Sequence, residues 1–225
     1  MSQRDLVLGR VRRALADVPR EERPDEVPVA RDYLRVHGAR TPEETVRLLA
    51  VHLADYRARV HHCDGDGVAA KVAELLSARG ARSVVAPPGL PGGWLPEGID
   101  RIEDDPGLTA RDLDAVDSVV TGCAVAVAET GTLVLDASPD QGRRRITLVP
   151  DHHVCVVRVP DQVVASVPEA LERLDPGRPQ TWISGPSATS DIELDRVEGV
   201  HGPRALDVVL AGPAVAAGPG VPSDD

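Results

Sequence analysis

Apolar residues recur along this chain with two different periods, which predict helices that alternate with strands. Near-helical spacing from Gln3 to Ala16 predicts an amphipathic helix that packs across the domain or against a partner. The run Thr41-Pro42-Glu43-Glu44 has an N-cap hydroxyl, a proline at the first helical position and a glutamate at the third. It predicts a helix that continues to about Asp55. A further helix is predicted from Val68 to Arg79, where Gly80 ends it.

Short apolar runs bounded by Gly, Pro and Asp predict the strands. They are Arg59 to Cys63, Ser83 to Ala86, Arg101 to Glu103, Ser118 to Thr121, Thr132 to Asp136, Val154 to Val159, Thr181 to Ser184 and Ala205 to Leu210. Short helices are predicted from Ala110 to Val116 and from Val163 to Leu174, since a proline near the first turn is tolerated. This alternation predicts an α/β fold with a largely parallel sheet covered on both faces.

The predicted elements divide the chain of 225 residues into three parts. Residues 1–40 form an N-terminal helix and a linker that is rich in proline and charge. Residues 41–211 form the α/β domain, and residues 212–225 form a flexible tail. A hydrophobic content of 42% is enough for one domain with a sizeable core.

Charge and composition narrow the possible functions. The net charge is −11, aromatic residues make up 2% of the chain and phenylalanine is absent. Because a polyanion needs a basic surface and single strands need stacking rings, nucleic acid is not an expected partner. Lys71, the only lysine, falls within a predicted helix, which argues against phosphate-loop and Schiff-base chemistry. Without a leader or a run of eighteen apolar residues, we expect a cytoplasmic chain that does not insert into membranes.

Cysteine spacing argues against a metal or redox centre. The three cysteines, Cys63, Cys123 and Cys155, are far apart and form no Cys-x-x-Cys pair, so we expect core thiols. No dinucleotide glycine fingerprint follows a strand. The turn at residues 64–67, Asp-Gly-Asp-Gly, lacks the later ligands of a calcium loop. We therefore predict neither a metal site nor an intrinsic cofactor.

The stretch from Ser118 to Asp136 carries the most suggestive chemistry. Glu129, Thr130 and Gly131 lie where its second apolar run begins, and an acid beside hydroxyls at a strand mouth is typical of a pocket. Equally, Glu129 could pair with an arginine while Gly131 only supplies a turn with positive φ. The residues alone leave both interpretations open.

Three other groups of residues are candidates for binding an anion. The triplet Arg143, Arg144 and Arg145 is able to clamp a carboxylate or phosphate, or forms a solvated turn with one arginine pointing inward. A capping box at Ser190 predicts a helix N-terminus behind Gly185-Pro186-Ser187, whose positive end either binds an anion or is occupied by the adjacent Asp191 and Glu193. His201 is either an acid/base group or a ring bonded to its own turn.

Residues 129–132, 187–191 and 201–204 are expected to converge on one cleft at the carboxyl ends of the strands. The cleft should prefer a small anion and be faced by at least one of Arg143, Arg144, Arg145 or Arg204. The candidate catalytic residues are Glu129 and His201. The candidate ligand-binding residues are Thr121, Gly122, Glu129, Thr130, Gly131, Thr132, Arg143, Arg144, Arg145, Gly185, Ser187, Thr189, Asp191, His201, Gly202 and Arg204.

Three motifs occur together and in order: Thr-Gly at 121–122 with Ala-Glu-Thr-Gly-Thr at 128–132, Gly-Pro-Ser at 185–187 with Thr189 and Asp-Ile-Glu at 191–193, and Gly-Val-His-Gly-Pro at 199–203. With this combination the chain resembles the lactate utilisation protein C family, the LUD domain, from about Thr41 to Leu210. Ala188 departs from the basic residue that often follows Gly-Pro-Ser there, which weakens the case for phosphate binding.

The resemblance implies a three-layer α/β/α fold like that of glucosamine-phosphate isomerase, ribose-phosphate isomerase and coenzyme A transferases. It also implies a cytoplasmic role in oxidising lactate to pyruvate beside iron–sulfur partner proteins, and it supplies no established catalytic residues. Two hypotheses follow. One is a non-redox subunit that binds a small carboxylate or organises its partners. The other is a stand-alone enzyme on a small acid, sugar phosphate or thioester that uses Glu129 for proton transfer.

Overall fold

A computed structural model describes residues 2–17, 23, 29–30, 32–189, 197–198 and 202–213. The chain forms two compact units, Met1–Leu34 and Arg35–Asp225. The predicted helix that begins at Ser190, the candidates Asp191 and His201, and most of the predicted tail lie outside the described residues.

The N-terminal unit contains helix α1, Gln3–Ala14, as predicted. Its start is explained by a capping box, in which the Asp5 N–H donates to Ser2 Oγ at 3.1 Å and the Asp5 carboxylate accepts from the Ser2 N–H. No residue of α1 is buried. Its packing against a partner therefore stays a prediction.

The strands, in chain order, are β1 Arg59–Cys63, β2 Ser83–Ala86, β3 Asp100–Glu103, β4 Ser118–Thr121, β5 Val125–Val127, β6 Thr132–Leu135, β7 His152–Arg158, β8 Val163–Val164, β9 Thr181–Ile183, β10 Ala188–Thr189, β11 Val197–Glu198 and β12 Ala205–Ala211. The other helices are α2 Pro42–Asp55, α3 Val68–Ala78, α4 Ala110–Asp114 and α5 Val167–Arg173. At the predicted start of α2, the Glu44 N–H donates to Thr41 Oγ1 at 3.2 Å.

Six strands form an entirely parallel sheet in the order β1-β12-β7-β4-β2-β3. Successive side chains of a strand point to opposite faces, and both faces of this sheet are largely apolar and covered. Helix α3 buries Val72 and Leu76 against one face, and helix α2 buries Leu49 and Leu53 on the other. The predicted three-layer α/β/α architecture is confirmed.

A second sheet of four strands, in the order β8-β5-β6-β9, was only partly predicted. No strand was predicted between β4 and β6, yet the Val125–Val127 run forms β5 before a 3₁₀ turn at Ala128–Thr130. The helix predicted from Val163 to Leu174 is also wrong in its first turn. Val163 and Val164 pair with β5, where β-branched side chains pack well. The helix begins only after Ser166, which caps it.

Candidate functional site

A cavity of about 290 Å³ lies where the 3₁₀ turn at Arg144–Thr147, strand β9 and the start of β12 meet. We call it the Arg144 cavity. It is lined by Arg144, Thr147, Leu148, His153, Thr181, Trp182, Ile183, Ser184, Gly185, Pro186, Ser187, Gly202, Pro203 and Leu206. One cation and several hydroxyls on an otherwise apolar wall are typical of a small-molecule site.

Arg144 supplies the positive charge of this cavity. Its side chain is exposed, and among the described residues no carboxylate forms an ion pair with it. The two walls are held together by a backbone hydrogen bond, since the Ser187 N–H donates to the Pro203 carbonyl at 2.8 Å. A guanidinium without a competing carboxylate is free to accept an anion in a bidentate manner.

His153 adds an uncharged ring to the cavity wall. Burial, with a smaller contribution from neighbouring His152, lowers the pKa of His153 to about 3, so the ring is neutral near pH 7. Its Nε2 lies 2.8 Å from Thr121 Oγ1, in a pair that is buried. Thr121 thus acts on the cavity through His153. Sequence reasoning missed His153; the signal was a pair of histidines that opens an otherwise apolar strand.

Glu129 is not part of the Arg144 cavity. Its Oε2 lies 2.8 Å from His37 Nδ1, and its Oε1 accepts from Arg40 Nη1 at 3.2 Å. The structure therefore matches the interpretation in which Glu129 pairs with an arginine. Both partners precede α2, so this acid ties the start of the domain to the turn before β6. Such a tethered carboxylate gives the stand-alone enzyme hypothesis no geometric support.

Two of the other arginine candidates, Arg143 and Arg204, pair with carboxylates outside the cavity. Arg143 donates from Nε to Asp104 Oδ1 at 2.7 Å, and the carboxylate of Asp104 is buried. Arg204 forms a bidentate pair with Asp151, at 2.6 and 2.9 Å, and this pairing lowers the pKa of Asp151. Arg145 is half-buried and does not line the cavity. Of the four arginines, Arg144 is the one that lines the cavity.

The other candidates divide into three groups. Gly185, Ser187 and Gly202 line the Arg144 cavity. Thr130 and Thr132 lie beside it and reach its wall through Ser184, a residue that sequence reasoning missed. The Gly122 N–H donates to the Asp140 carbonyl at 2.8 Å, Gly131 packs against helix α2, and Thr189 belongs to strand β10.

The cavity does not lie at the carboxyl ends of the strands, where the cleft was expected. Its residues His153 and Leu206 are the second residues of β7 and β12, so it lies near the amino ends of two central strands. The segment that precedes β12 and the loop after β9 close over this end. In the described part of the chain, no group of three or more His, Cys, Asp or Glu side chains is arranged to hold a metal ion.

A second, open groove of about 610 Å³ runs between the segment before α2 and helix α5. It contains Arg35, Arg40 and Arg173, but each already has a partner. Arg35 pairs with Glu172, Arg40 with Glu129, and Arg173 donates to the Asp161 carbonyl at 2.6 Å. Asp161, Glu169 and Glu172 line the same groove, so its lining balances positive with negative charge, unlike that of the Arg144 cavity.

The model of the LUD domain family matches residues 47–211 of the chain. A protein of Deinococcus radiodurans named Lactate utilization protein C is 49% identical over 164 residues, which are 71% of this chain and 76% of that protein. An uncharacterised protein of Neisseria meningitidis is 27% identical over 94% of both chains. A crystal structure of a DUF162 family protein from Deinococcus radiodurans superposes with a TM-score of 0.68 and 40% identity. It covers 77% of this chain and all of the other.

Proposed function

The chain belongs to the LUD domain family, and from that membership we propose that it is a non-redox component of a cytoplasmic system that oxidises L-lactate to pyruvate. The observation that carries the proposal is the 49% identity to a protein named Lactate utilization protein C over three quarters of that protein. The family match runs from within α2 to the end of β12 and so includes the core of the domain.

We further propose that the Arg144 cavity binds a small carboxylate. Three features support this: a guanidinium with no carboxylate partner among the described residues, hydroxyls at Ser184 and Ser187, and a neutral His153 ring that brings no second charge. A volume of about 290 Å³ suits a small ligand. Lactate and pyruvate both present the carboxylate that such a site would recognise.

The electrons of lactate oxidation are proposed to pass to iron–sulfur partner proteins. Oxidising a hydroxy acid removes two electrons, which a protein normally passes to a nicotinamide, flavin, haem or iron–sulfur centre. The sequence offers neither the dinucleotide glycine fingerprint nor grouped cysteines for a cluster. Cys123 and Cys155 are moreover fully buried, and a hydrogen bond with Cys155, together with burial, raises the pKa of Cys123.

Affinity purification from the native host, with iron and sulfide analysis of the recovered complex, tests the partnership. We expect co-purifying cysteine-rich proteins that carry the iron, at a level that rises when the cells grow on lactate. Recovery of the chain alone, under both growth conditions, would argue against a complex.

A second assay separates this function from that of a self-sufficient dehydrogenase. Purified chain is given L-lactate and an artificial electron acceptor, and its absorbance is scanned for a bound chromophore. We expect no dye reduction until the partners are added. Stoichiometric flavin or cluster absorbance with lactate-dependent dye reduction would make the chain itself the dehydrogenase.

A further inference from the structure

Three hydroxyl groups connect the turn before β6 to the Arg144 cavity. Thr130 Oγ1 donates to Thr132 Oγ1 at 2.8 Å, and Thr132 Oγ1 lies 2.8 Å from Ser184 Oγ. Thr132 is 5% exposed, whereas Ser184 is exposed and lines the cavity. The row therefore runs through a buried threonine to a hydroxyl that a ligand would meet.

The number of hydroxyl protons in this row indicates which oxygen donates to which. Each hydroxyl has one proton, and Thr130 already donates its proton to Thr132. The proton of Thr132 has two acceptors, the Thr130 carbonyl at 3.2 Å and Ser184 Oγ at 2.8 Å. The shorter contact favours Ser184. Ser184 Oγ then accepts a hydrogen bond from Thr132, and its own proton is directed to an acceptor in the cavity. Donation along a chain of hydroxyls strengthens the last donor of the chain.

The turn that carries Thr130 and Thr132 is held on several sides. His52 Nδ1 lies 2.8 Å from the Ala128 carbonyl, so Nδ1 carries the proton and donates. The Glu129 N–H donates to the Ala165 carbonyl at 3.0 Å. Gly131 passes so close to α2 that a Cβ there would lie 2.7 Å from the His52 carbonyl carbon. These contacts keep the two threonine hydroxyls in place without a ligand.

We propose that Thr132 is a positioning residue that makes Ser184 a donor to an anionic oxygen in the Arg144 cavity. This inference rests on the proposed function, in which that cavity binds a small carboxylate. It assigns the contact with the ligand to Ser184 and gives the Glu-Thr-Gly-Thr turn, residues 129–132, an indirect role. Arg144 supplies the charge and Ser184 the directed hydrogen bond.

Isothermal titration calorimetry of the full chain with L-lactate, pyruvate and inorganic phosphate tests the inference. Ser184→Ala removes the terminal donor, Thr132→Val removes the relay and keeps the side-chain shape, and Thr132→Ser restores the hydroxyl. Thr45→Val is the matched control, since this threonine of α2 is 9% exposed, bonds the Thr41 carbonyl and does not line the cavity. Thermal unfolding of each variant is measured in parallel.

Ser184→Ala should raise Kd for the bound anion on the order of tenfold, the loss of one charge-assisted hydrogen bond. Thr132→Val should raise Kd by a smaller but measurable factor, because Ser184 keeps its hydroxyl and loses only the hydrogen bond from Thr132 that orients it. Thr132→Ser and Thr45→Val should bind like the wild type. If Thr132→Val lowers the melting temperature sharply, Ser184→Ala decides the question, because its hydroxyl is exposed. If the wild type binds an anion and either Ser184→Ala or a folded Thr132→Val binds it with the same Kd, the inference is wrong while the anion site stands. No saturable binding to the wild type overturns the anion site and the inference with it.

Discussion

His152 Nε2 lies 2.7 Å from Asp207 Oδ2, and each of these side chains is only 1% exposed. The carboxylate also receives His61 Nε2 at 2.7 Å and the guanidinium of Arg59, while His152 Nδ1 lies 2.8 Å from Ser118 Oγ. The polar row thus crosses four adjacent strands, β1, β12, β7 and β4. Burial alone would raise the pKa of Asp207, but hydrogen bonds from His152, Arg59 and His61 outweigh it and lower the pKa.

Asp207→Asn should destabilise the domain by about 3 kcal/mol, because it leaves the buried His152 ring and the more exposed His61 and Arg59 without their shared buried carboxylate. Urea denaturation monitored by circular dichroism measures the change. Asp151→Asn is the matched control: its bidentate pair with Arg204 is exposed, so we expect about 1 kcal/mol or less. Equal effects of the two substitutions would contradict a special role for the buried array.

His153 should make the domain less stable in acid. Its pKa in the folded state is about 3, below the value of roughly 6.5 expected for an unfolded chain. Between these two pKa values the unfolded chain therefore binds a proton at this histidine, and the folded chain does not. The stabilisation is complete above about pH 6.5 and falls by about 1.4 kcal/mol per pH unit as pH drops toward the folded pKa.

Between pH 7 and pH 5 this histidine alone should thus reduce the free energy of unfolding by about 2 kcal/mol. Urea titrations at several pH values measure it. His153→Gln keeps a nitrogen near Thr121 but does not titrate, so its stability should fall less over this range. Parallel pH profiles for the two proteins would refute the assignment.

Gly131→Ala should destabilise the domain more than alanine does at a glycine with positive φ that has open space around it. Gly131 has φ of 54° and a Cβ there would meet backbone of α2, whereas Gly80 has φ of 64° and open space around it. Gly80→Ala therefore measures the backbone strain alone, about 1 kcal/mol. Thermal unfolding should show a clearly larger loss for Gly131→Ala. The same loss in both would mean that α2 moves aside without cost.

Arg144→Gln should abolish most of the stabilisation that lactate, pyruvate or phosphate gives in a thermal-shift titration, with Kd raised about tenfold or more. Arg145→Gln is the matched control, because it removes the same charge one position away and outside the cavity. A similar loss in both variants would indicate a general charge effect instead of a bound anion.

Much of the fold follows from local patterns in the sequence. The start of α2 at Thr41 depends on groups three residues apart, and the parallel strands β7 and β12 are apolar runs that remain recognisable without their neighbours. Strand β5 has only three residues and was missed, because it is stabilised by pairing with β6 and β8, which are other segments of the chain. Short strands depend on such partners more than on their own propensity.

Residues of the same type near the site differ in role only because of their tertiary contacts. Arg143, Arg144 and Arg145 look alike in the sequence. Asp104 pairs with Arg143, 39 positions away, whereas Arg144 lines the cavity. Thr132 likewise meets Ser184 across 52 positions. The α/β class, the family motifs and the unusual acid–hydroxyl–glycine turn can all be read from the amino-acid sequence. Which side chain reaches the cavity was decided by the packing of distant strands, because partners that far apart leave no periodic signal in the chain.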